Sequence, residues 1–196
     1  SLVAGDGIAT IDIGDPVAGV NRVANELKDG NEANGEAEIV IAEYHEGGPY
    51  SSTTGTLAQQ LAVPVFAHLV NDTSAKVDAI LQGHTHQAYI YDVQIPGAAA
   101  GETRPVLQTG NYASNLGVIS LGYDPATSSV TGYNASLVPV TAYSPTCAAD
   151  PQWQSAASIV DAAVAYAAPL AAQKIGSVTA TISRGITNGA EDRSQE

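Results

Sequence analysis

The sequence predicts a layered α/β domain. Two short β-branched apolar runs, AEIVIA at 37–42 and VDAIL at 77–81, have the length of buried strands. Apolar residues recur at helical spacing before the first run and between the two. Short strands punctuated by turns follow, and then a long Ala-rich helix. This order fits stacked layers better than a helix bundle or a β-sandwich. A chain of 196 residues, 44% of them hydrophobic, is long and apolar enough for one domain with a sizeable core.

Residues 1–14 read as a loop holding a short apolar stretch at 7–13. Asp15-Pro16 has the form of a helix N-cap followed by proline at the first helical position. Val17, Val20, Ala24 and Leu27 then mark a helix over about 16–28, ended by Asp29-Gly30-Asn31. The first strand leads into Tyr44-His45-Glu46-Gly47-Gly48, and a Ser/Thr/Gly-rich loop covers 49–56. Residues 56–75 are helical, broken before Pro64, with Leu57, Leu61, Phe66, Leu69 and Val70 turned inward. The second strand ends at Gln82-Gly83-His84-Thr85-His86. Strands at 88–93, 105–109, 118–123 and 130–140 read as an antiparallel meander. A helix spans 151–173, with Trp153, Ala157, Val160, Val164 and Ala167 on one stripe, and 178–182 is strand-like.

Lys and Arg number 7 against 20 Asp and Glu, a net charge of −13. That field repels nucleic-acid polymers and anionic lipid. It also requires a local positive centre, such as a metal ion, for any phosphate chemistry. No apolar run has the length of a membrane span, and no signal peptide is present. Cys147 is the one cysteine, so no disulfide closes within the chain; it reads as a buried thiol or as the partner of a cysteine elsewhere. The chain starts at Ser1 and has no methionine, which leads to the expectation of a processed or excised piece.

The chemistry-bearing residues are histidines. In an extended backbone His84 and His86 point to the same side, and ligands of α/β sheets gather outside the carboxyl ends of the strands. Gly83 lets the chain turn and lets other groups approach. His45 follows the other buried strand and belongs at the same sheet edge. Imidazoles so delivered suit Zn, Mn, Fe or Ni; the plainer alternative is histidines in exposed loops. Glu46 reads as a solvated carboxylate, and His68, inside a helix, as a structural or surface histidine. Asp6 and Asp15 follow glycines as the carboxylates of dinuclear sites do, but Asp15 is better explained as a helix cap. No Gly-rich phosphate loop or serine nucleophile elbow occurs.

The segments VDAILQGHTHQAY (77–89), IVIAEYHEGG (39–48), GDPVAGVNRVANELKDG (14–30), RPVLQTGNYASNLGVISLGYD (104–124) and AAQKIGSVTATISRG (171–185) resemble the calcineurin-like metallophosphoesterases, specifically their secreted 5′-nucleotidase branch. The resemblance implies a four-layer α/β/β/α sandwich with mixed sheets. It implies a site for two divalent metal ions, Zn, Mn or similar, and a nucleotide or other phosphate ester as substrate. His45 and His84 match ligands of one ion and His86 a ligand of the other; none of them is a nucleophile. The family's Asp-x-His, bridging Gly-Asp and Gly-Asn-His motifs have no match here, so no catalytic residue is assigned and the substrate-binding residues stay unknown. On this resemblance residues 1–172 form the second half of the catalytic domain, and 173–196 a linker towards a C-terminal nucleotidase domain. The expectations that follow are partner segments in the missing N-terminal half and C-terminal domain, weak metal binding without turnover, self-association through uncovered sheet edges, and a secreted or cell-surface location. Two alternatives stand beside this: a secreted, non-catalytic α/β binding or surface module, and a UDP-sugar hydrolase or 2′,3′-cyclic phosphodiesterase on the same metal core.

Overall fold

Asp15 opens the first helix, α1 (Pro16–Leu27), as an N-cap: its carboxylate accepts hydrogen bonds from Val17 N (3.0 Å) and Ala18 N (3.3 Å). The computed structural model describes residues 10–141, 145–179, 185–187 and 190–192. They fall into two compact units, Ser1–Thr141 and Ala142–Glu196. Helix α1 buries Val17 and Ala24 and ends at Lys28. Glu36 Oε1 then accepts the backbone N–H groups of Asp29, Gly30 and Asn31 at 3.0, 2.7 and 3.0 Å, holding the reversal towards the sheet.

Strand β1 (Ile41–Tyr44) begins four residues later than the apolar run at 37–42. Its ladder starts where its neighbour starts, at the pair Ile41↔Ala79. Upstream, Val40 N donates to Asp78 Oδ2 (2.8 Å) and Val40 O accepts from Asp78 N (2.8 Å), so one aspartate ties down the lead-in to the strand. Helix α2 (Leu57–Leu61) carries a capping box between Thr56 and Gln59. The expected break at Pro64 separates it from α3 (Pro64–Asn71), which buries Phe66, Leu69 and Val70.

Strands β2 (Ala79–Gln82), β3 (Ala88–Gln94) and β4 (Thr103–Thr109) join β1 in a mixed sheet of order β1-β2-β4-β3. The pairs β1–β2 and β2–β4 are parallel, whereas β3–β4 is antiparallel. Thus β4 is inserted between the two strands that precede it, and the plain meander expected after His86 holds only in part. Strands β5 (Asn115–Asp124) and β6 (Ser129–Pro139) form a separate antiparallel hairpin.

The inner strand β4 shows what covers the sheet. Arg104 on one face reaches α3, and Leu107 on the other meets the hairpin. A side chain at Gly117 of β5 would come within 2.9 Å of Leu107 Cδ1 and Thr109 Cγ2, so the glycine is what lets the hairpin approach. Tyr133 of β6 closes the far end, its hydroxyl 2.6 Å from Thr103 Oγ1 and donating to Asp92 Oδ1 (2.8 Å). The main core, on the helix side, gathers Val17, Ala24, Tyr44, Phe66, Leu69, Val70, Val77, Ile80, Tyr89, Val93 and Val106.

Arg104 is 1% exposed. Its Nη1 donates to the carbonyls of Ser74 (2.6 Å) and Val77 (3.0 Å), and its Nη2 to those of Val70 (3.0 Å) and Thr73 (2.7 Å). The cation therefore sits against the carbonyl-rich end of α3, where the helix dipole favours it. Burial still lowers its pKa to about 10.

In the second unit Asp150 caps α4 (Pro151–Ala171), accepting from Gln152 N (2.7 Å) and Trp153 N (3.2 Å). The expected stripe through Trp153, Val160 and Val164 is not buried, nor is any other residue of α4; within its unit the helix packs against the 3₁₀ turn Pro145–Ala149. Cys147, read from the sequence as a buried thiol or as the partner of a cysteine elsewhere, is exposed on that turn. Strands β7 (Gly185–Thr187) and β8 (Ala190–Asp192) pair antiparallel. Residues 178 and 179 are not strand, and the rest of the strand expected at 178–182 lies outside the described residues, as does Asp6. No helix among the described residues is long and apolar enough to cross a membrane.

Candidate metal centre

Parallel pairing of β1 and β2 ends at Tyr44↔Gln82, so His45 and Gly83-His84 leave the sheet side by side. The link continues one step beyond the ladder, where Gly83 N donates to Glu46 O (3.4 Å). The His45 and His84 rings meet edge-on, with centroids 5.3 Å apart and planes at 68°. Both residues are exposed.

His86 follows after a turn. An extended backbone across 84–86 is not what forms: the chain leaves β2 at Gln82 and bends twice. Thr85 N donates to Gly83 O (2.7 Å) around His84, whose φ is 68°, which is a γ-turn centred on the histidine. His86 has φ 59°. The backbone across 84–86 is therefore not extended, and the His86 ring lies 5.9 Å from that of Tyr112. Gly83, for its part, has no left-handed φ, and a methyl group there would find its nearest neighbours at ordinary contact, 3.5 Å from His45 Nδ1 and 3.8 Å from Tyr44 O. The turn is made by the histidines themselves. Left-handed φ costs an L-residue about 1–2 kcal/mol and persists where the surroundings enforce it, most often at functional sites.

A buried polar network enforces it here. Thr85, between the two histidines, donates from Oγ1 to Gly48 O (2.7 Å) and accepts from Gln108 Nε2 (2.9 Å). Gln108 Nε2 also donates to Gln87 O (2.7 Å). Tyr89 Oη donates to Gln82 Oε1 (2.7 Å) and accepts from Gly48 N (3.0 Å). Burial pushes the Tyr89 phenol well above its usual range, so it stays a neutral donor. Gly47 and Gly48 are needed for this closeness. A Cβ on Gly47 would lie 2.6 Å from Gln108 Oε1 and 2.7 Å from Tyr89 Oη, and one on Gly48 would lie 2.6 Å from Gln60 Cδ. Sequence reading missed Gln82, Thr85, Tyr89 and Gln108. The available signal was polar residues alternating with apolar ones in strands otherwise read as core.

The donor set fits a divalent ion in part. Imidazole is a ligand suited to Zn and Mn, and the spacing of His45 and His84 is one that two rings on a single ion can meet, with Zn–N bonds of about 2.0–2.1 Å. Among the described residues, no group of three or more His, Cys, Asp or Glu side chains comes together to hold one ion. The nearest carboxylate in sequence, Glu46, is engaged locally, accepting from Gly47 N (3.0 Å).

His68 is elsewhere and structural, as expected. Its Nδ1 lies 2.6 Å from Asp72 Oδ2 and its Nε2 3.0 Å from Asp15 Oδ1, joining the end of α3 to the start of α1. Asp15 and then Asp72 raise its pKa, and His68 in turn holds the Asp15 carboxyl below its usual range. No family model matches the chain, and no curated protein is similar to it at a significant level.

Proposed function

We propose that this chain is part of a dinuclear metallophosphoesterase of the 5′-nucleotidase type, which cleaves a nucleotide or related phosphate ester to an alcohol and phosphate. The observation that carries the reading is the His45–His84 pair, delivered by two adjacent parallel strands to one sheet edge with rings 5.3 Å apart. The sequence resemblance adds the four-layer α/β/β/α sandwich and the extracellular setting of the parent protein. The helix layer, the mixed sheet and the β5–β6 hairpin are compatible with three of those four layers.

In this reading His45 and His84 hold one divalent ion and His86 contributes to a second. Such ions, of the Zn or Mn kind, when bound offset phosphate charge and lower the pKa of bound water. The chain's own contribution is positioning. The γ-turn aims His84, and Thr85 and Gln108 clamp the loop between the histidines so that metal ligation requires little reorganisation. Among the described residues no carboxylate joins the pair. The same observation favours a second reading, an exported non-catalytic α/β binding module.

Thermal unfolding with Zn²⁺ and with Mn²⁺ separates the two. A metalloenzyme half-site predicts that ions raise Tm of the wild type and leave a His45/His84/His86 triple-alanine variant unmoved. Equal responses of both proteins would favour the binding module. Neither protein is expected to hydrolyse p-nitrophenyl phosphate or AMP, for want of the bridging carboxylate.

A further inference from the structure

A cleft of about 730 Å³ opens at the end of the sheet opposite to His45 and His84. It lies where β2 begins and where β3 turns into β4, and the start of β6 forms its far wall. Of the described cationic residues (Arg22, Lys28, Lys76, Arg104 and Lys174) two, Lys28 and Lys76, line it, in a chain of net charge −13. The two differ. Lys28 Nζ is paired with Asp78 Oδ2 (2.7 Å). Lys76 Nζ donates to a neutral group, the Lys28 carbonyl (2.6 Å), and no carboxylate among the described residues lies within 4.0 Å of it. Asp29 feels its charge from further away, but that carboxylate is taken up by Asn34 Nδ2 (3.0 Å) and Asn31 N (2.8 Å). An ammonium group has further donors to offer once one is used. The segment carrying it is fixed: Ser74 N donates to Asn21 Oδ1 (2.6 Å), and buried Arg104 holds the Ser74 and Val77 carbonyls on either side. Across the cleft stand the hydroxyls of Ser128, Ser129 and Thr131. Strand β6 carries one extra residue there. Val130 pairs with Tyr123 and Gly132 with Gly122, which leaves Thr131 as the unpaired residue of a β-bulge. Bulges re-aim side chains and recur beside binding sites.

We propose that this cleft binds a small sugar acid, a hexose-sized polyol with a single carboxylate, which places its carboxylate on Lys76 and its hydroxyls along Ser128, Ser129 and Thr131. The volume is in the range of pockets for small molecules. The charge balance selects a monoanion. Lys28 and Asp78 cancel, Glu102 at the rim opposes a second negative charge, and Lys76 is left to pair with one. A charge-assisted hydrogen bond from the ammonium to the carboxylate is the anchor, and the row of hydroxyls supplies donors and acceptors for the polyol. The site shares no residue with the histidine pair and needs no metal ion.

The test titrates the full chain, without added metal, with glucuronate, glucose and acetate, binding being followed by NMR at the backbone amides. Glucuronate is expected to shift the amides of Lys76, Ser128, Ser129 and Thr131. It should bind at least about ten-fold more tightly than glucose, which lacks the charge, or acetate, which lacks the hydroxyls. Lys76→Gln should abolish the advantage over glucose, while Lys174→Gln, in the second unit, leaves it unchanged. Thr131→Val keeps the branched shape and should weaken glucuronate several-fold; it decides the matter if Lys76→Gln fails to fold. Glucuronate bound no better than acetate, shifts confined to other residues, or affinity undiminished in both Lys76→Gln and Thr131→Val overturns the proposal. So does tighter binding of glucose 6-phosphate, a dianion, than of glucuronate.

Discussion

His84 and His86 adopt conformations that side-chain-bearing residues avoid, and stability and function therefore pull apart at these positions. His84→Gly relieves the left-handed strain and is expected to raise unfolding stability by about 0.5–1 kcal/mol while removing a metal ligand. Urea titration reads the first effect and Zn²⁺ binding the second; a loss of stability would show that the turn is not strained. His68 gives the pH dependence at the same scale. Its pKa is raised above the ordinary 6.5 by Asp15 and Asp72, so the stabilisation it lends is complete below that value and is lost as pH rises through the raised one. Asp15, held below its usual 3.8, keeps its share until pH falls through the lowered value. The Tm advantage of wild type over His68→Gln should then be largest near pH 5 and should shrink by about pH 8.5. A difference that does not change with pH would mean the bridge carries no ionic component. Asp15 and His68 were legible from the sequence because capping and helix membership are local properties. The turn at His84 and His86 was not, because the i, i+2 alternation gives no warning of where a backbone stops being extended.

At the scale of elements, the candidate site depends on how closely the Gly47-Gly48 segment approaches the sheet ends. Gly47→Ala brings a methyl group against Gln108, Tyr89 and the Gly83 carbonyl, and is expected to destabilise the first unit by about 1–3 kcal/mol. Gly83→Ala, with only ordinary contacts to make, should be nearly neutral. Urea midpoints for the pair check this, and the reverse order of effects would contradict the packing described. Helices α1 and α3 and strands β1 and β2 were visible in the sequence through capping, proline placement and apolar runs. The insertion of β4 between β2 and β3 was not, because strand order follows from which edges pair in space rather than from order along the chain. Arg104 was equally hidden. Its four partners are carbonyls of α3 and the loop after it, and backbone acceptors leave no mark in a sequence.

At the scale of the whole molecule, two features frame the function. The net charge of −13 disfavours nucleic-acid polymers, and on the proposed reading a bound cation would be the means of holding a phosphate. The mixed sheet ends at β1, which has no partner on its outer side among the described residues, and the apolar groove between β1 and α1 lies along that edge. An open edge of this kind is where further polypeptide adds to a sheet, and β1 is also the strand that delivers His45. The account rests on His45 and His84 sharing one ion, and Zn²⁺ titration followed at the histidine ring resonances tests this directly. The expected result is that both rings shift together at the same Zn²⁺ concentration, and that either single alanine substitution abolishes the response of the other. Independent shifts at different concentrations, or none at all, would contradict it.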